Sequence, residues 1–195
     1  GVAAGLGDSM DWMQVLNEVN IWRKGDAPDK GRNVMPPELY ARILREVAVA
    51  VRAVAPRLRL ATSINGVDFE YTSLLFAQDL AGAVDGFGVN AYRRSPEDPS
   101  VVDDYARLRV LIDRHRPGLP LFNTEQYFGA RLRVGRSTES EWENWCDSEA
   151  EQGARMLQTW LHHAAAGNVP FASMIPEETV YRLGDADPVR HYFVF

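Results

Sequence analysis

Residues 12–18, Trp-Met-Gln-Val-Leu-Asn-Glu, form a short apolar run that ends in the polar pair Asn17 and Glu18. Its length and apolar character are typical of a buried strand, which we predict over residues 12–16. Three further apolar runs end in polar residues in the same way. They cover residues 58–64, 86–89 and 119–123, and the polar residues that follow them are Asn65, Asn90, Tyr92, Thr124 and Glu125.

Segments with a helical spacing of apolar residues separate these predicted strands. The first begins at Pro36 and Pro37, which the first turn of a helix tolerates, and it ends before Pro56. Its apolar face comprises Leu39, Ile43, Val47, Val51 and Val54. The remaining predicted elements are a helix over about 70–83, a helix with Val101, Tyr105, Leu108 and Ile112 on one face, a helix over 148–166 ended by Gly167, and a fifth strand over 169–175.

The alternation of apolar strands and amphipathic helices predicts an α/β fold, with a parallel sheet covered by helices. Five such units fit either a doubly wound sheet or part of a (β/α)8 TIM barrel. No Gly-rich phosphate loop follows any of the predicted strands, which argues against a nucleotide site. Polar residues gather at the carboxyl ends of the strands, where barrel enzymes have their active sites. We therefore predict a single, partial TIM-barrel domain over residues 1–195.

The composition argues against several classes of function. A net charge of −6 and scattered basic residues disfavour a nucleic-acid surface. Cys146 is the single cysteine, and the pair His162 and His163 is expected to interact with helix-end carbonyls rather than with metal, so no metal site or cofactor is predicted. No apolar run reaches the ~20 residues of a membrane span. No signal-peptide pattern is visible, and localisation is not predicted.

Glu18 and Glu125 are the candidate catalytic residues. Hydrolysis of a glycosidic bond with retention needs one carboxylic acid that protonates the leaving oxygen and one carboxylate that attacks the anomeric carbon. Either glutamate alone is more simply explained as a loop carboxylate just beyond a strand. Because the two stand at matched places on alternating units, the catalytic interpretation is favoured for the pair.

Three segments resemble clan A retaining glycoside hydrolases. Val-Leu-Asn17-Glu18-Val19-Asn resembles the Asn-Glu-Pro signature that closes strand four of that clan, with Val19 where proline is usual. Leu-Phe-Asn-Thr-Glu125-Gln-Tyr is similar to the end of strand seven, and Val-Asn-Ala-Tyr92 is similar to the end of strand six, with Asn90 in place of a frequent histidine. The resemblance implies that the chain holds strands four to eight of the barrel.

The resemblance also implies roles for individual residues. Glu18 would be the general acid/base and Glu125 the nucleophile, with Tyr92 donating a hydrogen bond to Glu125. Asn17 would bind the 2-hydroxyl of the sugar. Asn65 and Asn90 are compatible with binding sugar hydroxyls and, equally, with capping strand ends.

Aromatic residues on the loops after strands four and seven are candidates for stacking on sugar rings. They are Trp22, Tyr127, Trp142 and Trp145. Packing on the helix that follows is an equal alternative for Trp142 and Trp145. The expected partner is an oligosaccharide or glycoside, and the end of strand eight, Ala172-Ser173-Met174-Ile175, lacks the tryptophan often found there.

A complete barrel takes at least ~250 residues, so strands one to three are expected to be missing from this chain. We interpret it as a fragment that lacks the N-terminal half, in preference to a barrel formed by association or a degenerate relative. The isolated chain is then expected to be aggregation-prone and weakly active or inactive. The predicted function is retaining O-glycoside hydrolysis; the alternative is a non-catalytic carbohydrate-binding or degenerate barrel module.

Overall fold

The computed structural model describes residues 10–21, 34–93, 95–126, 129–131, 145–146, 148–170 and 190–191. These residues fall into two units, one of Gly1–Asn90 with Ala106–Phe122 and the other of Ala91–Tyr105 with Asn123–Phe195. The helices are α1 (Pro37–Val54), α2 (Phe69–Phe76), α3 (Ser100–His115) and α4 (Glu149–Ala165). The first five strands are β1 (Trp12–Gln14), β2 (Arg59–Ala61), β3 (Ile64–Asn65), β4 (Phe87–Asn90) and β5 (Leu121–Asn123). Strands and helices alternate here as predicted.

The strands of the first unit pair in parallel, which confirms the prediction made from their continuous apolar character. Strand β1 pairs with β2, and β3 pairs with β4 in a register that sets Asn65 opposite Asn90. The amide of Phe87, at the start of β4, donates to the carbonyl of Pro120 just before β5 at 2.8 Å. The register of β3 and β4 thus places Asn65 and Asn90 side by side at the carboxyl ends of these strands.

The predicted strand over 58–64 is interrupted at Thr62 and Ser63, so it forms two short strands, β2 and β3. The buried hydroxyl of Thr62 accepts from the amide of Gly88 at 2.9 Å and donates to the carbonyl of the same residue at 3.2 Å. The amide of Ser63 donates to the hydroxyl of Tyr40 at 2.9 Å. At Thr62 and Ser63, side-chain hydroxyls take the place of backbone groups as hydrogen-bond partners. The spacing of apolar residues could not indicate this interruption of the strand.

Helix α1 has the predicted bounds, but its buried face differs from the predicted one. Leu39, Ile43 and Val47 are only half-buried and Val54 is exposed. The buried residues are Tyr40, Ala41, Leu44, Ala48 and Val51. The helix is thus rotated about its axis relative to the prediction, and the hydroxyl of Tyr40 explains why. It donates to the carbonyl of Val15 at 2.8 Å and accepts from the amide of Ser63, so the side of the helix that carries Tyr40 faces the strands.

Helix α2 is shorter than the predicted segment over 70–83. It begins after Asp68, whose carboxylate accepts from the amide of Tyr71 at 2.9 Å, and it ends at Phe76. Beyond it Asp79 and Gly82 adopt positive φ angles of 53° and 70°, which are incompatible with a continuing helix. In helix α3 the predicted apolar face is confirmed: Val101, Tyr105, Leu108 and Ile112 are all buried.

In the second unit, helix α4 begins after Ser148, whose hydroxyl accepts from the amide of Glu151 at 3.1 Å. Gly167 follows the helix with a φ of 74°, as predicted for its C′ position. Between β5 and α4 the chain contains two short strands in its described part. The described residues of this unit form four further short strands: β6 (Gly129–Arg131), β7 (Trp145–Cys146), β8 (Val169–Pro170) and β9 (Arg190–His191). Strand β6 is parallel to β7 and antiparallel to β9. The rest of the predicted strand over 169–175 lies outside the described residues.

No helix in the described part of the chain is long and apolar enough to cross a membrane.

Candidate active site

Glu18 follows β1 in a turn with an unusual backbone conformation. Leu16 and Glu18 have φ angles of 64° and 47°, in the left-handed region that costs non-glycine residues about 1–3 kcal/mol. Strand β1 consequently ends at Gln14, two residues earlier than predicted. The hydroxyl of Ser63 stabilises the turn, because it accepts from the amide of Glu18 at 2.9 Å and donates to Oδ1 of Asn17 at 3.1 Å.

Val19 occupies the position at which the resemblance expects proline. It is fully buried, and its amide donates to the carbonyl of Ser63 at 3.4 Å. Proline has no amide hydrogen and could not make this bond. The backbone and the side chain of Ser63 therefore together hold residues 17–19.

The carboxylate of Glu18 is held through one of its oxygens. Oε1 accepts from Nδ2 of Asn65 at 2.9 Å and from Nδ2 of Asn90 at 3.0 Å. The register that sets Asn65 opposite Asn90 explains why both amides reach the same atom. Within the described residues Oε2 makes no hydrogen bond, so a proton on this carboxyl group belongs on Oε2.

Asn17 is oriented by the same neighbours. Its Oδ1 accepts from Ser63 and, at 3.2 Å, from Nδ2 of Asn90. The oxygen of the Asn17 amide therefore faces Ser63 and Asn90, and its Nδ2 group points away from these two donors. The side chain is exposed, so its amide donor is accessible to a ligand.

Asn20 and Asp68 support this group and were not recognised in the sequence. The buried side chain of Asn20 accepts from the amide of Asn65 at 2.7 Å and donates to its carbonyl at 3.0 Å. It also donates to Oδ2 of Asp68 at 3.1 Å. Asn65 is therefore fixed through its backbone as well as through its side chain. The one feature of the sequence that could have pointed to Asn20 is the repeated asparagine in Asn17-Glu18-Val19-Asn20.

In the second unit, Tyr92 and Glu125 are brought together. The hydroxyl of Tyr92, two residues beyond β4, donates to Oε1 of Glu125, two residues beyond β5. Both side chains are half-buried. A hydrogen bond to a carboxylate favours its charged form, and it restricts the direction in which the second oxygen points.

Two buried amides flank the Tyr92–Glu125 pair, and neither was predicted. Oδ1 of Asn123 accepts from the amide of Ala91 at 3.3 Å. Oε1 of Gln126 accepts from the amide of Arg93 at 2.8 Å, and its Nε2 donates to the carbonyl of Arg93 at 3.3 Å. Residues 91–93 are thus attached to residues 123–126 on both sides of the pair.

Arg93 is itself anchored. Its guanidinium donates to the carbonyl of Tyr92 at 3.0 Å and forms an ion pair with Asp104 of α3 at 2.8 Å. The arginine is mostly buried, so salt screens this pair less than an exposed one. The side chain of Arg93 therefore also helps to fix the backbone of Tyr92.

The structure places His163 differently from the expectation that it interacts with helix-end carbonyls. Its ring is buried, with Nε2 at 2.9 Å from Nδ2 of Asn123. Burial, with smaller electrostatic contributions from Arg93 and His162, lowers the pKa of His163 from 6.5 to about 4. The imidazole is neutral at pH 7.

The remaining predicted site residues are not described. Trp22, Tyr127 and Trp142 lie outside the described residues, and of Trp145 the structure gives only the backbone, in β7. Among the described side chains, no group of three or more His, Cys, Asp or Glu residues is arranged to hold a metal ion. The described candidate residues thus form two groups: Asn17, Glu18, Asn65 and Asn90 in the first unit, and Tyr92 and Glu125 in the second.

The mixed α/β fold of the chain is similar to part of the TIM-barrel catalytic domains of glycoside hydrolases. It is similar to the family 44 xyloglucanase of Paenibacillus polymyxa, with a TM-score of 0.63 and 10% sequence identity over 90% of this chain and 46% of that one. The catalytic core of xylanase A gives a TM-score of 0.55 at 17% identity, covering 100% of this chain and 63% of that one. The family 53 catalytic domain of Ignisphaera aggregans gives 0.54 at 13% identity, covering 88% and 52%.

This chain spans about half the length of the solved structures that it resembles. No protein-family model and no curated protein matches the sequence. The similarity to solved structures, at these identities, establishes the fold.

Proposed function

We propose that the chain contributes the catalytic glutamates of a retaining clan A glycoside hydrolase, as strands four to eight of one (β/α)8 barrel domain. The observation that supports this best is common to both glutamates. Glu18 lies four residues beyond β1 and Glu125 two residues beyond β5, and each has Oε1 held by side chains at the ends of other strands. These hydrogen bonds fix the position of Oε1 in each carboxylate and thereby restrict the direction of Oε2.

In the first step of the proposed reaction, the carboxylate of Glu125 attacks the anomeric carbon. The bond between that carbon and the glycosidic oxygen breaks, and the proton on Oε2 of Glu18 moves to the departing oxygen. The products are a glycosyl ester on Glu125, an alcohol and an ionised Glu18.

In the second step, Glu18 takes a proton from water, and the water oxygen attacks the anomeric carbon. The bond to Glu125 breaks, the sugar is released with its original configuration, and both glutamates return to their starting states. Retention by this route requires the two carboxyl groups to be ~5–5.5 Å apart.

The proposed role of Asn65 and Asn90 follows from their contacts. Both amides donate to Oε1 of Glu18, so they orient the acid/base instead of binding sugar hydroxyls. They also stabilise the charge that Glu18 carries after the first step. Asn17 remains the proposed partner of the 2-hydroxyl, since its amide donor is exposed.

For the substrate we propose a polysaccharide or oligosaccharide with sugar units linked through O-glycosidic bonds. The similar solved structures include a xyloglucanase crystallised with xyloglucan and a xylanase in complex with xylopentaose. Xyloglucan, xylan and their oligosaccharides are therefore the first natural substrates to test. Trp22, Tyr127 and Trp142 remain proposed stacking residues.

Pre-steady-state hydrolysis of dinitrophenyl glycosides (glucoside, xyloside, galactoside and mannoside) by the complete protein tests the proposal. A burst of dinitrophenol is expected, because the glycosyl ester on Glu125 forms faster than it is hydrolysed. Glu125→Gln should abolish turnover, whereas Glu70→Gln, an exposed glutamate of α2, should leave it unchanged. Normal turnover of Glu125→Gln would show that the nucleophile is assigned wrongly.

Azide distinguishes the role of Glu18. In Glu18→Ala a small anion can occupy the space of the missing carboxylate and attack the glycosyl ester, so azide should restore turnover and give a glycosyl azide of retained configuration. Saccharide binding in calorimetry without hydrolysis of any substrate would instead support the non-catalytic carbohydrate-binding module.

A further inference from the structure

A buried histidine on α4 is not used by the proposed reaction. His163 is 1% exposed and continues the buried stripe of this helix. The other buried residues of the stripe are Gln152, Met156 and Thr159. The ring of Tyr105, on α3, packs edge-on against the imidazole with ring centroids 4.9 Å apart. Nδ1 of the ring has no hydrogen-bond partner among the described residues, so the partner of Nε2 decides the orientation of the imidazole.

That partner is Asn123, whose orientation is fixed independently. The amide of Ala91 donates to Oδ1 of Asn123 at 3.3 Å, so the nitrogen of the side-chain amide must face the imidazole. Rotating the amide by 180° would set an NH2 group against the amide hydrogen of Ala91.

The tautomer of His163 follows from this orientation. Nδ2 of Asn123 is a donor, and Nε2 of His163 lies 2.9 Å from it. Nε2 must therefore carry a lone pair, and the proton of the neutral ring is on Nδ1. A charged imidazolium would carry a hydrogen on Nε2 and would oppose the NH2 group.

Asn123 links the two backbone segments that carry Tyr92 and Glu125. It stands two residues before Glu125, and it binds the residue just before Tyr92. The hydroxyl of Tyr92 in turn donates to Glu125. A change in the orientation of Asn123 is thus transmitted to both members of the pair.

We propose that His163 is a positioning residue, a neutral acceptor that locks the amide of Asn123 and thereby aligns Tyr92 on Glu125. The role rests on the proposed function of Glu125 as nucleophile. Burial holds the imidazole neutral and lowers its pKa to about 4, with Arg93 and His162 adding to the effect. Among the described residues, Arg93, His162 and the phenol of Tyr105 are the titratable or charged groups that act on or pack against the ring.

Two substitutions of His163 distinguish the effect of its hydrogen-bond acceptor from the effect of the space that the ring fills. In His163→Gln the side-chain Oε1 takes the place of Nε2 and can accept from Asn123, whereas His163→Leu fills similar space without an acceptor. His162→Gln is the matched control on the same helix. The Leu variant should lose about 100-fold in kcat for a dinitrophenyl glycoside with little change in KM, as expected for a misplaced reacting group. The Gln variant should recover most of the loss, and His162→Gln should behave as the parent protein.

Equal activity of the Leu variant and the parent would overturn the proposal, as would equal impairment of the Gln and Leu variants. If His163→Leu does not fold, the tautomer of His163 in the parent protein tests the proposal instead. In a long-range 1H–15N correlation spectrum of histidine-labelled protein at pH 7, Nε2 of His163 should be unprotonated and Nδ1 protonated. A protonated Nε2 would overturn the proposal whether or not the protein is an enzyme. The expected tautomer in a protein that hydrolyses no glycoside would instead contradict the proposed function, and with it the positioning role.

Discussion

Nδ2 of Asn90 lies 3.0 Å from Oε1 of Glu18, which precedes it by 72 positions in the chain. Asn65 donates to the same oxygen at 2.9 Å. The carboxylate of Glu18 is therefore oriented by the strands that follow it, and its remaining oxygen carries the chemistry that we propose.

Replacing Asn90 by alanine should impair acid catalysis selectively. Loss of one amide donor frees the carboxyl group to rotate, so proton transfer to the departing oxygen becomes less efficient. A hydrogen bond to a charged group contributes about 1.5–3 kcal/mol, so kcat/KM should fall about 10- to 100-fold for substrates with a poor leaving group, such as alkyl glycosides. Dinitrophenyl glycosides, which need no proton, should be almost unaffected.

A series of aryl glycosides of decreasing leaving-group acidity measures this selectivity. Gln78→Ala is a suitable control, because this side-chain amide, two residues beyond the end of α2, donates only to the carbonyl of Leu74 among the described residues. A uniform loss across the series would mean that Asn90 contributes to substrate binding or to folding rather than to the position of Glu18.

Tyr92→Phe should weaken the nucleophile without unfolding the protein. The substitution removes the hydroxyl that donates to Glu125 and preserves the ring. We expect kcat to fall about 10- to 100-fold, which corresponds to the loss of a charge-assisted hydrogen bond. Steady-state kinetics measures the effect. Tyr71→Phe removes the same atom from a tyrosine that donates to the carbonyl of Met35 at 2.9 Å, and should leave kcat unchanged.

Tyr40→Phe should destabilise the first unit. The hydroxyl of Tyr40 satisfies the carbonyl of Val15 and the amide of Ser63, and without it both backbone groups are buried and unpaired. The expected loss in the free energy of unfolding is about 2–4 kcal/mol, measured by urea denaturation. Tyr105→Phe is the matched control, because the buried hydroxyl of Tyr105 has no hydrogen-bond partner among the described residues. If the two variants were equally stable, the bridging role of Tyr40 would be refuted.

The stability of the protein should decrease between pH 6.5 and pH 4 because of His163. Its pKa is lowered from 6.5 to about 4 in the folded state, chiefly by burial. As the pH falls through this window, the unfolded chain binds a proton that the folded chain does not, and the free energy of unfolding falls by up to about 3 kcal/mol. Urea denaturation at a series of pH values should show a shallower dependence for His163→Gln. His115→Gln, at an exposed histidine, should keep the dependence of the parent.

The sequence predicts the positions of the first strands, because apolar runs and the polar residues after them are local features, but not the early end of β1 or the interruption between β2 and β3. The bounds of α1 and α4 are likewise local, set by Pro37 and Gly167. The rotation of α1 was not predictable from spacing, because it depends on the hydroxyl of Tyr40 reaching Ser63, 23 positions away.

The partners of the polar side chains could not be predicted, for a related reason. Asn65 and Asn90 were compatible with sugar binding or capping, and only the register between β3 and β4 shows that both face Glu18. His163 was misjudged because its helical stripe is partly polar. Gln152, Thr159 and His163 keep the spacing of a buried face, but their hydrophilicity conceals it.

Covalent labelling of Glu125 tests the central claim most directly. The protein is incubated with activated 2-deoxy-2-fluoro glycosides of gluco, xylo, galacto and manno configuration, which form the glycosyl ester but hydrolyse slowly. Mass spectrometry of the intact protein and of its peptides then locates the modification. We predict that one sugar is added, on Glu125, and that Glu125→Gln is not labelled. A label on another residue would contradict the account, as would a protein that hydrolyses glycosides without forming any covalent adduct.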